Sequence, residues 1–490
     1  MSQTFTPSPQ QADFFNWITT GSGSCVLEAV AGAGKTTTLE HGVRLMGGTV
    51  FLGAYNKAIA DEIRARIGAR PGLVAGTMHS AGFSAWRRVA GGVKIDGNKC
   101  RTIFREASAR NAEYRPFESS VLSLVSYAKQ TGLGALKGCT LEDFDALAEH
   151  HSVEPPAPEA AELMYQLASR TLRASIERDF QVIDFDDMIY APLRHEARLF
   201  TSDWVLIDEA QDTNATRRAL ALRMLKPGGR LVAVGDPRQA IYGFTGADAD
   251  ALDLIAAATG AVRMPLTITY RCPKKVVEVA HQWVKHITAA ASAPDGEVHS
   301  APVTDLKKHA RPGDAVLCRF VAPLIRNVYS LIADGVPARV EGREIGEGLR
   351  KLATRWKTDS IAQFLGYLET YETNEVAKLQ AKEKERAAEA LIDKCACVRV
   401  VVGRVKAKDP KAVMADVLEA ITTLFGAEDN PTAQVTFSTI HRSKGREWHR
   451  VLWLVTGPSP YARKAWEQVQ EANLCYVAAT RAKAELFLLQ

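Results

Sequence analysis

Lys35 is the first residue whose surroundings point to chemistry. It lies in the run Ala29-Val30-Ala31-Gly32-Ala33-Gly34-Lys35-Thr36-Thr37, which follows an apolar segment and opens a helical pattern. Small residues there let backbone N–H groups close around phosphates, and a helix N-terminus adds a favourable dipole. In such a loop the Lys35 ammonium reaches the β- and γ-phosphates, and the Thr36 hydroxyl binds Mg²⁺. Ala29 stands where the general pattern has its first glycine, so the run alone also fits a glycine-rich turn without function. A second run, Trp204-Val205-Leu206-Ile207-Asp208-Glu209-Ala210-Gln211-Asp212, reads as a buried strand ending in paired carboxylates. Asp208 suits Mg²⁺, and Glu209 suits polarisation of an attacking water. Such a pair can also cap a helix; the phosphate-loop pattern upstream favours the nucleotide reading. A third run, Val234-Gly235-Asp236-Pro237-Arg238-Gln239-Ala240-Ile241-Tyr242-Gly243-Phe244, brings an amide, Gln239, to the level of a γ-phosphate. Tyr242 and Phe244 then alternate, as suits bases stacking along a single strand, although each also fits a core position.

These residues need strands to carry them. Short apolar runs ending in Gly or Asp, each followed by a helical pattern, occur at Cys25–Ala29, Thr49–Leu52, Trp204–Ile207 and Leu231–Val234. A second set follows at Ala315–Cys318, Gln434–Phe437 and Val451–Val455. Continuous apolar runs of this length read as buried parallel strands of a doubly wound α/β sheet. Residues 81–183 lack strand runs and break at Pro155-Pro156-Ala157-Pro158, and residues 341–430 are mostly helical. The stretch Lys382-Glu383-Lys384-Glu385-Arg386 reads as a solvated helix face. The expected organisation is a first α/β core over 1–80 and 184–262 with a helical insertion at 81–183. A second core follows over 263–340 and 431–490, with an insertion at 341–430.

Composition narrows the class. The 490 residues carry 61 Lys plus Arg against 56 Asp plus Glu, a net charge of +5, so a nucleic-acid site must be a local groove. The 46% apolar and 24% charged content is that of a folded globular chain. No run approaches the roughly 18 apolar residues of a membrane-spanning helix. The start, Met1-Ser2-Gln3-Thr4-Phe5-Thr6-Pro7, lacks a basic and an apolar region, so no signal peptide and a cytoplasmic location are expected. Eight scattered cysteines fit reduced thiols, and Cys395-Ala396-Cys397 has no second pair nearby to complete a zinc site.

In their order along the chain, these motifs resemble those of the UvrD/Rep-type superfamily 1 DNA helicases, including the F-box DNA helicase branch. Gln10-Gln11 resembles the adenine-reading glutamine motif, with either residue as the reader. Ala31-Gly32-Ala33-Gly34-Lys35-Thr36 resembles motif I, with Ala33 where Ser or Thr is usual. Tyr55-Asn56-Lys57-Ala58 and Thr77-Met78-His79-Ser80 resemble motifs Ia and Ib, single-strand contacts in the family. Asp184-Phe185-Asp186-Asp187-Met188 resembles the segment that returns from the first insertion. Asp208-Glu209-Ala210-Gln211-Asp212 resembles motif II, and Gly235 to Tyr242 motif III. Leu266-Thr267-Ile268-Thr269-Tyr270-Arg271 resembles motif IV, where the Tyr stacks on adenine and the Arg reaches the γ-phosphate. Thr439 to Trp448, with His441 and Glu447, resembles motif V; Tyr476 to Ala482, with Arg481 as a second arginine finger, resembles motif VI.

The resemblance implies two RecA-like parallel-sheet cores in tandem, each with a mainly helical insertion. It implies ATP and Mg²⁺ as cofactors, with ATP in the cleft between the cores and Arg271 and Arg481 opposite the phosphate loop. It further implies 3′→5′ movement on single-stranded DNA, action at single-strand/duplex junctions, and a monomer or a DNA-induced oligomer. Departures are Phe244-Thr245-Gly246-Ala247 where the family has aromatic-Arg-Gly-Ala, and Thr269 where it has Asn. Tyr55 directly precedes Asn56, where the family often has an aromatic two before the Asn, and the second insertion is about half the family's usual size. Alternatives are a translocase that strips proteins without unwinding, and a nucleic-acid clamp that binds ATP without turnover. RNA is also open as the substrate, since 2′-OH discrimination leaves no readable motif.

Overall fold

Apolar runs without polar alternation must be covered on both faces, and in this chain they form parallel strands flanked by helices. The computed structural model describes residues 5–54, 56–68, 70–151, 153–243, 246, 248, 250–334, 336–381, 385–425, 434–459, 462 and 464–490. Tyr55, Phe244, Thr245, Ala247 and Lys382–Lys384, singled out in the sequence, lie outside the described residues. Two compact units divide the chain, Met1–Thr267 and Ile268–Gln490.

In the first unit the strands are β1 (Cys25–Ala29), β2 (Val50–Gly53), β3 (Leu73–Gly76), β4 (Lys94–Ile95), β5 (Val182–Ile183), β6 (Ser202–Ile207), β7 (Leu225–Gly235) and β8 (Val262–Leu266). Six of them form one parallel sheet in the order β3-β2-β6-β7-β1-β8. Pairing runs Cys25↔Val232 to Glu28↔Gly235 and Val50↔Trp204 to Gly53↔Ile207, so the carboxyl ends of β1, β2, β6 and β7 share one edge. Ligands of open parallel sheets sit beyond that edge. β8 pairs with β1 from Cys25↔Val262 to Ala29↔Leu266. That pairing keeps β8 in the first unit, and the division falls after Thr267 rather than after 262.

Between β3 and β6 the chain is mainly helical, and its apolar faces meet around Phe104, Val121, Leu124, Phe144, Met164 and Leu172. A buried ionic cluster ties this region together. Lys99 Nζ lies 2.6 Å from Asp179 and 2.7 Å from Asp187, and Lys129 Nζ lies 2.6 Å from both Asp184 and Asp187.

The second unit contains β9 (Ile268–Thr269), β10 (Thr288–Ala289), β11 (Glu297–Ala301), β12 (Ala315–Cys318), β13 (Ala338–Val340), β14 (Val435–Thr439), β15 (Trp448–Leu454) and β16 (Ala482–Leu489). Its main sheet is parallel with the order β11-β16-β15-β12-β14-β13. Helices Arg343–Ala353, Ile361–Ala381, Glu385–Lys408 and Met414–Leu424 separate β13 from β14. Among the described residues, they share the core of the sheet. Phe364, Val398, Val401 and Ile421 belong to one apolar cluster with Val316, Phe437 and Leu452 of the sheet, and Cys395 and Cys397 point into it. The architecture is that of two RecA-like α/β cores. No helix among the described residues is long and apolar enough to cross a membrane.

Candidate nucleotide and strand site

The loop after β1 is shaped by two glycines. Gly32 and Gly34 have φ of +72° and +74°, the left-handed region that glycine enters without penalty. Ala29, Val30, Ala31 and Ala33 are buried, and Val30 N–H donates to Leu266 O at 3.0 Å, anchoring the loop to the end of β8. Gly34 caps the helix Lys35–Leu45 without a side-chain hydrogen bond. Helix N-termini of this kind present backbone N–H groups to anions. Thr36 and Thr37 lie half-buried on the first turn, behind Lys35.

Three carboxylates surround Lys35. Its Nζ lies 2.8 Å from Glu209 Oε1. Burial opposes its charge, but Glu209, Asp208 and Asp236 outweigh burial and hold its pKa above the ordinary value. Asp208 follows β6 directly, its N–H donating to Gly53 O at 2.9 Å. Burial first, and Glu209 second, push its carboxyl up to about 6. Glu209 itself has φ of +51°, rare for a residue with a side chain. Asp236, at the end of β7, is raised by burial and accepts from Gln239 Nε2 at 2.7 Å. Lys35, Asp208, Glu209 and Gln239 therefore gather at one edge of one sheet. Asp236 and Gln211 join them there; both lie inside the motifs, yet sequence alone did not mark either as part of the site.

A cavity of about 360 Å³ opens beside these carboxylates, lined by Asp208, Glu209, Thr77, His79, Arg217 and Tyr242 among others. Thr77, His79 and Tyr242, the expected strand contacts, thus share a space with the expected catalytic carboxylates. Burial, helped by Arg217, lowers the His79 pKa to about 4, so its ring is neutral at pH 7. Thr77 also caps the helix Met78–Ala90, and Asn56 caps Lys57–Ile67 by accepting from Ile59 N–H at 2.9 Å. Asn56 and Lys57 are exposed and do not line the cavity. The two N-terminal glutamines separate clearly. Gln11 is buried, closes a capping box with Ser8 and donates to Thr38 Oγ1 at 2.8 Å. Gln10 is half-exposed and exchanges two hydrogen bonds with Thr267, at 2.9 and 2.8 Å.

In the second unit Tyr270 is 53% exposed. Arg271 Nε lies 2.6 Å from Glu447 Oε2, and Lys483 Nζ lies 2.8 Å from Glu447 Oε1. Burial would raise the Glu447 pKa, but Lys483 and Arg271 hold it below the usual carboxylate value. Glu447 thus orients Arg271. Arg481 is only 1% exposed, donating from Nε to Val477 O and from a terminal nitrogen to Arg446 O, both at 3.0 Å. Arg271 and Arg481 both bond Thr480, through its carbonyl and its hydroxyl respectively. His441 lies half-buried in the short helix Ile440–Ser443.

The model of the UvrD/REP helicase N-terminal domain matches residues 10–258, and that of the UvrD-like helicase C-terminal domain matches residues 343–490. The chain is 23% identical over 551 residues to the ATP-dependent DNA helicase UvrD2 of Mycobacterium tuberculosis, covering 95% of this chain and 76% of that protein. It is 24% identical over 290 residues to the ATP-dependent DNA helicase PcrA of Staphylococcus epidermidis, covering 55% and 39%. Similarity to the ATP-dependent DNA helicase srs2 of Schizosaccharomyces pombe is 23% over 318 residues, covering 57% and 35%.

Proposed function

The chain belongs to the UvrD/REP helicase family, and we propose that it is an ATP-dependent DNA helicase that moves 3′→5′ along single-stranded DNA. The observation that carries this reading is the cluster in which Lys35, on the helix after β1, pairs at 2.8 Å with Glu209 beside Asp208 and Asp236. On this reading the Lys35 ammonium moves to the β- and γ-phosphates, which the loop amides also bind. Thr36 and Asp208 would hold Mg²⁺. They fit it: both offer oxygen to a hard cation, and a buried carboxyl pushed up to about 6 is a site where a cation offsets unfavourable charge. Bound there, such an ion would supply positive charge against the negative charge developing on the phosphates. Glu209 accepts the proton of the attacking water, and Gln239 orients the γ-phosphate side. Arg271 and Arg481 balance transition-state charge, Tyr270 stacks on adenine, and Gln10 or Gln11 reads its edge.

Tyr242, Thr77, His79, Asn56, Lys57 and His441 then form the strand track, with Tyr55 and Phe244 as further aromatics. The short run of helices between β13 and β14 offers little surface to grip duplex, so long duplexes open poorly. Strand displacement under single-turnover conditions tests this directly. A short duplex with a 3′ tail should open with ATP, a 5′-tailed one should not, and a long duplex should open inefficiently. Preferential opening of the 5′-tailed substrate would overturn the polarity.

A further inference from the structure

Gln211 has both ends of its amide in use. It is 2% exposed, its Nε2 donates to Glu209 Oε2 at 2.5 Å, and its Oε1 accepts the Asp236 N–H at 3.1 Å. The backbone makes room for it. A Cβ built on Gly235 would lie 2.4 Å from Gln211 Oε1, so β7 can approach the amide because position 235 is glycine. Beyond that peptide, Asp236 Oδ2 holds Gln239, and Tyr242 lines the same cavity as Glu209. One rigid amide therefore joins the carboxylate of Glu209 to the turn that carries Gln239 and Tyr242.

Building on the proposed function, we propose that Gln211 is a positioning residue. It fixes Glu209 for water activation and passes to it the placement of the Asp236–Tyr242 segment when a strand is bound. Glu209 has two oxygens, and Lys35 holds the other one. When the ammonium turns to phosphate, that restraint is released and the Gln211 hydrogen bond continues to aim the carboxylate. An amide suits this role because it donates to a carboxyl oxygen at one end and accepts a backbone N–H at the other. The charged groups around this link are Lys35, Asp208 and Asp236.

The test compares the full chain with Gln211→Glu, Gln211→Met and Gly235→Ala in ATP hydrolysis with and without single-stranded DNA. Gln211→Glu keeps the length and the acceptor for Asp236 N–H but sets a carboxylate against Glu209. Gly235→Ala pushes the amide aside while leaving Gln211 chemically intact. All three should lower DNA-stimulated kcat by about tenfold or more, the loss expected for a hydrogen bond to a charged group. KM for ATP and the DNA concentration for half-maximal stimulation should stay within about twofold, since neither ligand loses a contact. Unchanged kcat in folded Gln211 variants, or a loss carried by KM alone, would overturn the inference. Absence of hydrolysis by the unaltered chain would overturn the proposed function and the inference with it.

Discussion

Lys35 and Glu209 sit 2.8 Å apart yet serve different steps, and substitution should separate them. Lys35→Ala should abolish ATP hydrolysis and weaken nucleotide binding, whereas Glu209→Gln should bind ATP and fail to turn it over. Equal loss of ATP affinity in both, measured by equilibrium nucleotide binding, would contradict the division of roles. Arg271→Ala should lower turnover on the order of 10²–10⁴-fold with a far smaller effect on affinity. Arg481 behaves differently, because its guanidinium is buried against the Val477 and Arg446 carbonyls. Its removal leaves acceptors unsatisfied in a fully buried site as well as a charge missing, so Arg481→Ala should lower the thermal midpoint by more than Arg271→Ala, whose less buried guanidinium bonds Glu447 and the Thr480 carbonyl. His79 adds a pH dependence. With its folded pKa depressed to about 4, the unfolded chain takes up a proton first as pH falls below the ordinary imidazole value near 6.5. Stability should therefore decline as pH falls from about 6.5 to about 4, and His79→Gln should flatten that part of the profile. Of this site, the identities of Lys35, Asp208, Glu209 and Gln239 were legible because loop, strand end and turn each constrain residue type. The link through Gln211 was not, because it depends on β6 and β7 being neighbours.

At the scale of elements, legibility followed burial. Runs such as Val205-Leu206-Ile207 and Val232-Ala233-Val234 are apolar throughout because both faces are covered, so their short length, β-branched content and closing Gly or Asp, rather than any period, mark them as strands. The ionic cluster of the first insertion left no such mark. Lys99 and Lys129 sit on separate helices, and only the fold sets them against Asp179, Asp184 and Asp187. Lys129→Met would leave the Asp184 carboxylate without its cation and Asp187 with Lys99 alone, and chemical denaturation should show a loss of about 3–5 kcal/mol. Helix caps carried a second meaning that motif reading hid. Asn56 is proposed as a strand contact by resemblance alone, and its side chain accepts from Ile59 N–H. Asn56→Ala should cost about 1 kcal/mol of stability, and Asn56→Asp should retain it. Any loss of strand affinity in the capped variant then belongs to contact with DNA.

For the whole molecule, a net charge of +5 over 490 residues provides little general attraction for nucleic acid. Strand binding must then come from local contacts and stacking. Tyr242→Ala should raise the DNA concentration for half-maximal stimulation, reflecting a loss of ~1–3 kcal/mol, with DNA-free turnover unchanged. A protein that is merely destabilised by that change would place Tyr242 in the core instead. At the centre stands the cluster of Lys35, Asp208 and Glu209, proposed to hydrolyse ATP in response to a bound single strand. The most direct measurement is steady-state phosphate release by the full chain and by Glu209→Gln, with Mg²⁺ and ATP, with and without single-stranded DNA. Release by the unaltered chain should rise with single-stranded DNA, and Glu209→Gln should release none although it still binds nucleotide. Release that ignores DNA, or that survives in Glu209→Gln, would contradict that role.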